Sequence, residues 1–197
     1  MQQRWPMWFG LFAGLAAVAT GFALGDGLQD QWQHAARYTA RVGFPLLILA
    51  YIARPLHQLS PSGFSRAALG RRRWIGLGFA IAHTIHLGAL ITALRLAGQG
   101  PEPVTVVGGG IAYVLLYAMA FTSTAAAQKA MGKWWKRLHR FGIHYLWLIF
   151  AQSYLGRVFD PERMWVGLIF GSIAFAAAGL RFAAWLKMRR PRSLAAA

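Results

Sequence analysis

Residues 71–96 read RRRWIGLGFAIAHTIHLGALITALRL, and this stretch decides the fold class. Three arginines are followed by an uncharged, strongly apolar run from Trp74 to Leu94. An α-helix needs about 20 such residues to cross the hydrocarbon core of a bilayer, so the run predicts a membrane span. The arginines at its start predict that this end lies in the cytoplasm.

Similar apolar runs recur along the whole chain. Hydrophobic residues make up 57% of the 197 residues, a composition that excludes an ordinary soluble domain. The runs predict six spans, at residues 7–25, 40–56, 74–96, 104–124, 136–156 and 164–186. The longest gap, residues 57–73, contains Pro61 and Gly63 and predicts a cytoplasmic loop. We therefore expect one all-α domain over residues 1–197, a bundle of six transmembrane helices.

The charged residues are distributed asymmetrically over the gaps between these spans. All five acidic residues lie in the first, third and fifth gaps, and Arg37, Arg41, Arg95, Arg157 and Arg163 lie in these gaps or at the adjoining span ends. The remaining sixteen of the 21 lysines and arginines lie in the second and fourth gaps, at the adjoining span ends and towards the two ends of the sequence, with no acid among them. Because lysine and arginine stay on the cytoplasmic side, we expect both termini to be cytoplasmic.

The net charge of +16 would indicate nucleic-acid binding in a soluble chain. Here the basic clusters lie at the predicted cytoplasmic ends of spans, as at residues 71–73, 133–140 and 187–192. Basic residues at that depth orient the helices and contact anionic lipid headgroups. We therefore expect the membrane lipid as a partner and no nucleic acid.

Four of the six histidines are associated with predicted spans. His83 and His86 are three residues apart in the third span, so they share roughly one helix face. His139 and His144 lie in the cytoplasmic half of the fifth span, and five residues of helix turn them about 140° apart. Ionisable side chains inside a bilayer usually mark a functional site, and histidines on two facing helices can hold a haem iron axially. The four histidines therefore predict a haem site.

Other interpretations of the histidines stay open from the sequence. Each imidazole could simply hydrogen-bond a neighbouring helix, as polar side chains do in membrane bundles. A zinc or copper site would lack a carboxylate or thiol to complete it, since no predicted span contains an acid and the chain has no cysteine. The same lack of acids within spans disfavours a transporter, which usually carries an acidic proton relay.

Two motifs resemble a known family. FTST at residues 121–124 and GKWWKRLH at residues 132–139 resemble the ferric-reductase-like transmembrane family, and within it the haem-binding membrane subunit of bacterial methionine sulfoxide reductase systems. The resemblance implies a six-helix bundle of the bacterial inner membrane that binds haem b and passes electrons across or within the membrane. The chain would then be the electron-transfer subunit of an oxidoreductase. By position, the resemblance implies that His86 (or His83) and His139 are axial ligands of haem iron.

The chain departs from the family pattern at one position. Family members carry a second histidine on the fifth helix, where this chain has Gln152. A helix rise of about 1.5 Å per residue places His83 roughly 15 Å deep, while His139 lies near the cytoplasmic surface. Three arrangements therefore stay open: one haem between the third span and His144, two haems with one histidine each, or a degenerate and empty site.

The sequence also limits how electrons would arrive. It contains no GxGxxG dinucleotide-binding motif. We therefore expect a quinol or a separate flavoprotein as the donor, with the quinone or flavin carried by that partner, and a periplasmic or membrane protein as the acceptor. The alternative is an accessory or structural subunit of a larger membrane complex, whose haem site is degenerate or empty.

Overall fold

The protein is built from α-helices. The computed structural model describes residues 4–98, 100–101 and 103–189. Within these ranges it contains no strand and seven helices: α1 Trp5–Leu24, α2 Leu28–Leu59, α3 Gly63–Leu96, α4 Pro103–Phe121, α5 Ala125–Met131, α6 Lys133–Arg157 and α7 Met164–Arg189. The all-α prediction is confirmed for this part of the chain. Glu102 and the basic residues at 190 and 192, which contribute to the charge pattern, lie outside the described residues.

Five of the described helices, α1, α2, α3, α4 and α7, are long and apolar enough to cross a membrane. Their outward surfaces carry large apolar side chains with high exposed fractions, such as Trp8 at 52%, Phe12 at 64%, Trp165 at 69% and Phe175 at 52%. Apolar surface on this scale marks contact with lipid. The chain is therefore a multi-pass membrane protein.

Helix α6 corresponds to the predicted fifth span but is less apolar than the other long helices. Its 25 residues are long enough to cross a hydrocarbon core. They include two histidines, Gln152 and Ser153, which lower its hydropathy. The number of six spans therefore stays a prediction that depends on α6.

The loop expected at residues 57–73 is wrong, because α2 continues to Leu59 and α3 begins at Gly63. Ser62 and Ser65 form a capping box: the Ser62 hydroxyl accepts from the Ser65 N–H at 3.1 Å, and the Ser65 hydroxyl accepts from the Ser62 N–H at 2.8 Å. Alanine, leucine and arginine dominate the residues that follow and favour helix. The 34 residues of α3 span about 51 Å at ~1.5 Å per residue, more than a bilayer core requires.

Helix α1 packs on α2 and α3 through a face of small residues. Gly10, Gly14, Ala17 and Gly21 are the buried positions of this face, together with Pro6. A Cβ atom at Gly10 would collide with the backbone of Gly78 on α3, and one at Gly21 with the backbone of Ala35 on α2. Glycine is what allows helices to approach this closely in a membrane. Helices α1, α2 and α3 therefore form one tightly packed group.

Helices α4 and α7 each pack against α6, and α6 and α7 join the first group through α2. The core between them is aromatic: the ring of Phe44 on α2 lies 5.8 Å from Phe150, 5.0 Å from Tyr154 and 5.3 Å from Phe170, between centroids. The backbones of α3 and α6 do not contact each other anywhere in the described ranges. This separation leaves room for a cavity at one end of the bundle.

Candidate functional site

The cavity lies where α2 and α7 end and α3 and α6 begin. Its volume is about 790 Å³, within the roughly 300–1,000 Å³ that is usual for small-molecule and cofactor sites. Apolar side chains form its floor, among them Phe79, Leu116, Ile143 and Leu146. The indole rings of Trp135 and Trp185 also line it. By size and lining, the cavity suits a largely apolar group of cofactor size.

Cations dominate the polar part of the lining. No acid occurs among the described lining residues. Six cations line the cavity: Arg54, Arg72, Arg73, Lys136, Arg140 and Arg181. Arg72 Nε donates to the Ala50 carbonyl at 2.9 Å rather than to a carboxylate. The cavity is therefore electropositive and suited to an anionic group.

Pro55 explains why α2 offers a backbone acceptor at the cavity wall. Proline has no N–H, so the carbonyl of Tyr51, four residues earlier, has no helical donor. Arg181 of α7 donates to this carbonyl at 2.6 Å. Neighbouring helices commonly satisfy backbone groups that a proline frees within a membrane. The carbonyl that Pro55 leaves without a helical donor thus holds Arg181, one of the six cations, in place.

His139 lines the cavity, alone among the described histidines. The ring of Trp135, one turn earlier, stacks on it with centroids 4.1 Å apart. The Thr122 hydroxyl donates to the Ala118 carbonyl at 2.6 Å and lies 3.2 Å from His139 Nε2. Because a hydroxyl has one proton to give, it must accept from Nε2–H, which leaves a lone pair on Nδ1. The FTST motif therefore orients the imidazole of His139.

His144 is held in different surroundings. Its Nδ1 lies 3.2 Å from the Tyr51 hydroxyl, and its Nε2 lies 3.3 Å from the Arg181 guanidinium. His144 does not line the cavity. Both of its ring nitrogens already have protein partners, so in this arrangement neither is available to a metal.

His83 and His86 lie beyond the floor of the cavity. Their rings stack at 4.7 Å, and His83 also stacks on Phe79 at 5.1 Å and on Tyr113 at 5.3 Å. His86 Nδ1 lies 3.0 Å from the Ala36 carbonyl and must donate to it, which leaves a lone pair on Nε2. His83 Nδ1 is buried, with no hydrogen-bond partner in the described part of the chain. An unpaired buried nitrogen is costly and marks a place where a ligand could bind.

His83 and His86, here called the deep pair, lie too far from His139 to share one iron with it. The ring of His83 lies 5.2 Å from that of Phe150 on α6, so the two residues are at the same level. Phe150 follows His139 by eleven residues, or about 16 Å at ~1.5 Å per residue. The structure therefore separates two imidazole positions: His139 at the cavity, and His83 with His86 deeper in the bundle.

Other polar groups do not complete either position. Gln152, which the resemblance aligns with a second histidine of the family, is exposed on the surface of α6. Tyr145 donates to the Gly108 carbonyl at 3.2 Å, and Tyr154 is buried against the rings of Phe44 and Phe170. Over the residues that the structure describes, there is no cluster of three or more histidine, aspartate or glutamate side chains that could hold a metal ion.

A comparison with protein families decides the assignment. The family described as the ferric reductase like transmembrane component matches residues 39–151, more than half of the 197-residue chain. The chain belongs to this family. The match runs from α2 into α6 and includes His83, His86, His139 and His144, so the resemblance to the ferric-reductase-like family is confirmed. The finer resemblance to the methionine sulfoxide reductase subunit stays a prediction. No solved structure matches the chain.

Membership indicates a role in electron transfer within the membrane, and members of the family commonly bind haem. The cavity fits that group in three respects. It provides one oriented imidazole, an apolar floor, and cations that can pair with two propionates. The deep pair fits less well, because no described imidazole on another helix faces it.

Proposed function

We propose that the protein is an electron-transfer subunit of the bacterial inner membrane that binds haem b in the cavity, where His139 would hold the haem iron. The observation that carries the proposal is that His139, six cations and an apolar floor meet in one cavity. A bound haem supplies a one-electron couple at this position. The remaining chemistry is done by the side chains around it.

Each part of the cavity has a role in this proposal. Arg72 and Arg140 line the cavity and would hold the carboxylates of a bound haem by charge-assisted hydrogen bonds, and their charges would stabilise an added electron. Thr122 and Trp135 keep His139 in one tautomer and orientation, as outer partners do for metal-binding histidines. The apolar floor limits the access of water to the site.

The surroundings of the other histidines support two positions rather than one. A single haem between α3 and His144 would require His144 to give up Tyr51 or Arg181. We propose instead that the cavity is the main site and that His83 and His86 form a second, weaker one. Electrons would come from a quinol or a flavoprotein and leave to a periplasmic or membrane acceptor, with a methionine sulfoxide reductase as the partner that the resemblance implies.

The test of the function is an absorption spectrum of the detergent-purified protein, as isolated and after titration with hemin. We expect at least one haem per chain, with a Soret band that shifts on reduction by dithionite. A chain that retains no haem under either condition would contradict the proposal. That result would support the alternative, an accessory subunit with an empty site.

The proposed orientation can be tested independently, because the chain contains no cysteine. Single cysteines are introduced by Lys133→Cys, at the start of α6, and Glu162→Cys, between α6 and α7; both positions are exposed. We expect a membrane-impermeant maleimide to label residue 162 in spheroplasts and residue 133 only after permeabilisation, because the basic ends of the spans stay cytoplasmic. The reverse pattern would invert the topology and place the cavity on the periplasmic side.

A further inference from the structure

Arg181 lies on α7, outside the residues matched to the family, yet it contacts both α2 and α6. Its Nη1 donates to the Tyr51 carbonyl at 2.6 Å, and its Nη2 lies 3.3 Å from His144 Nε2. The guanidinium carbon lies 4.3 Å from the centroid of the Tyr51 ring. The Arg181 side chain therefore joins the Tyr51 carbonyl of α2 to His144 of α6, and both of these residues lie in the matched region.

Hydrogen-bond chemistry defines the state of His144 in this cluster. A guanidinium can only donate, so His144 Nε2 must accept from Arg181. The proton of the neutral imidazole is then on Nδ1, which donates to the Tyr51 hydroxyl oxygen 3.2 Å away. Both nitrogens of His144 are occupied, whereas Nδ1 of His139 keeps a lone pair.

We propose that Arg181 is a positioning residue that withholds His144 from the cofactor, so that His139 is the imidazole which the cavity offers. This inference rests on the proposed function. The role requires a planar fork that donates in two directions at once while one face lies on an aromatic ring. A lysine at this position would keep the charge but could not make all three contacts.

The first experiment needs no cofactor. Diethylpyrocarbonate acylates an imidazole nitrogen that has an accessible lone pair, and mass spectrometry locates the product. His144 is exposed on the surface of the chain, so hydrogen bonding rather than burial should limit its reaction. We expect slow labelling of His144 in the wild type and a several-fold increase in Arg181→Met, with His34 as the internal reference.

Lys187 provides a matched control on the same helix. Its Nζ also donates to carbonyls of α2, those of Gln58 at 3.1 Å and Leu59 at 3.4 Å. We expect Lys187→Met to leave His144 labelling unchanged. Equal labelling of His144 in the wild type and in Arg181→Met would overturn the proposal.

Arg181→Lys keeps the donor to Tyr51, and with it the fold, if Arg181→Met does not accumulate. We expect Arg181→Lys to raise His144 labelling as well, because one ammonium cannot reproduce the fork. Full protection of His144 by lysine would show that charge alone suffices and would overturn the positioning role.

A second experiment measures the absorption spectrum of the bound haem. After titration with hemin, the haem spectrum of Arg181→Met should differ from that of the wild type, and adding His144→Phe should restore it. If Arg181→Met binds haem with an unchanged spectrum, Arg181 does not select the ligand. If no variant binds haem, the proposed function fails, while the labelling experiment still decides the role of Arg181.

Discussion

Replacing His139 with alanine is expected to remove most of the haem that the protein binds. His139 is the imidazole that lines the cavity, and its partners Thr122 and Trp135 have no other ring to orient. Loss of an outer partner alone costs roughly 10–100-fold in metal affinity, so loss of the ligand should cost at least that much. Hemin titration of the purified variant, with haem per polypeptide as the readout, measures the effect.

His144→Ala is the matched control, since it removes an imidazole from the same helix without opening the cavity lining. We expect it to keep wild-type haem content. Haem that remains in His139→Ala should disappear when His83 and His86 are also replaced by alanine. If His139→Ala and His144→Ala both bind as much haem as the wild type, neither histidine is a ligand.

A leucine at Gly78 is expected to separate α1 from α3 and to lower the thermal midpoint of the protein strongly. Even a Cβ atom there would collide with the Pro6 carbonyl oxygen and lie 3.4 Å from the Met7 Cα. Overpacking usually costs about 1–3 kcal/mol, and here the obstacle is backbone, which cannot rotate away, so we expect the upper end of that range or more. Thermal unfolding in detergent, followed by circular dichroism, gives the midpoint.

Gly88→Leu is the control on the same helix. Apart from the neighbouring part of α3 itself, no described residue comes within 4 Å of a Cβ atom at Gly88. Leucine also favours helix over glycine by up to about 1 kcal/mol. We therefore expect Gly88→Leu to leave the midpoint unchanged or slightly higher. Similar losses in the two variants would mean that the crossing of α1 and α3 does not depend on close backbone approach.

The sequence predicted the long helices well where apolar runs are free of charge, but it misplaced their ends. Helix α2 begins at Leu28, whereas its predicted span begins at residue 40. The segment between contains Asp30, Arg37 and other polar residues, yet it buries Ala35 against Gly21. A helix needs only one apolar face to pack, so reading uninterrupted apolar runs stops too early.

The short helix α5 was missed for a different reason. Its seven residues are too few to show a helical period. Thr124 caps it by accepting from the Ala127 N–H at 3.0 Å, and an alanine run follows. A threonine before consecutive alanines is a start signal that could have revealed this helix.

The sequence identified the histidines but could not distinguish their roles. The depth of a histidine along its helix can be counted from residue numbers. The groups that its imidazole contacts depend on how distant parts of the chain pack against that helix. The partners of His144 are Tyr51 and Arg181, 93 and 37 residues away. Pro55 did carry a usable signal, because a proline within a helix frees a carbonyl that then needs a donor.

The contacts of α2 with α1 and α3 on one side, and with α6 and α7 on the other, have a consequence for biogenesis. A membrane chain is inserted from its N-terminus, so α1, α2 and α3 can assemble while the ribosome is still translating the rest. Helix α6, the least apolar of the long helices, is inserted after α2. Tyr51 of α2 is therefore already in the bilayer when its partner His144 enters. Arg181 lies on α7, which follows α6 in the chain, so its contacts with Tyr51 and His144 form only after α6 has been synthesised.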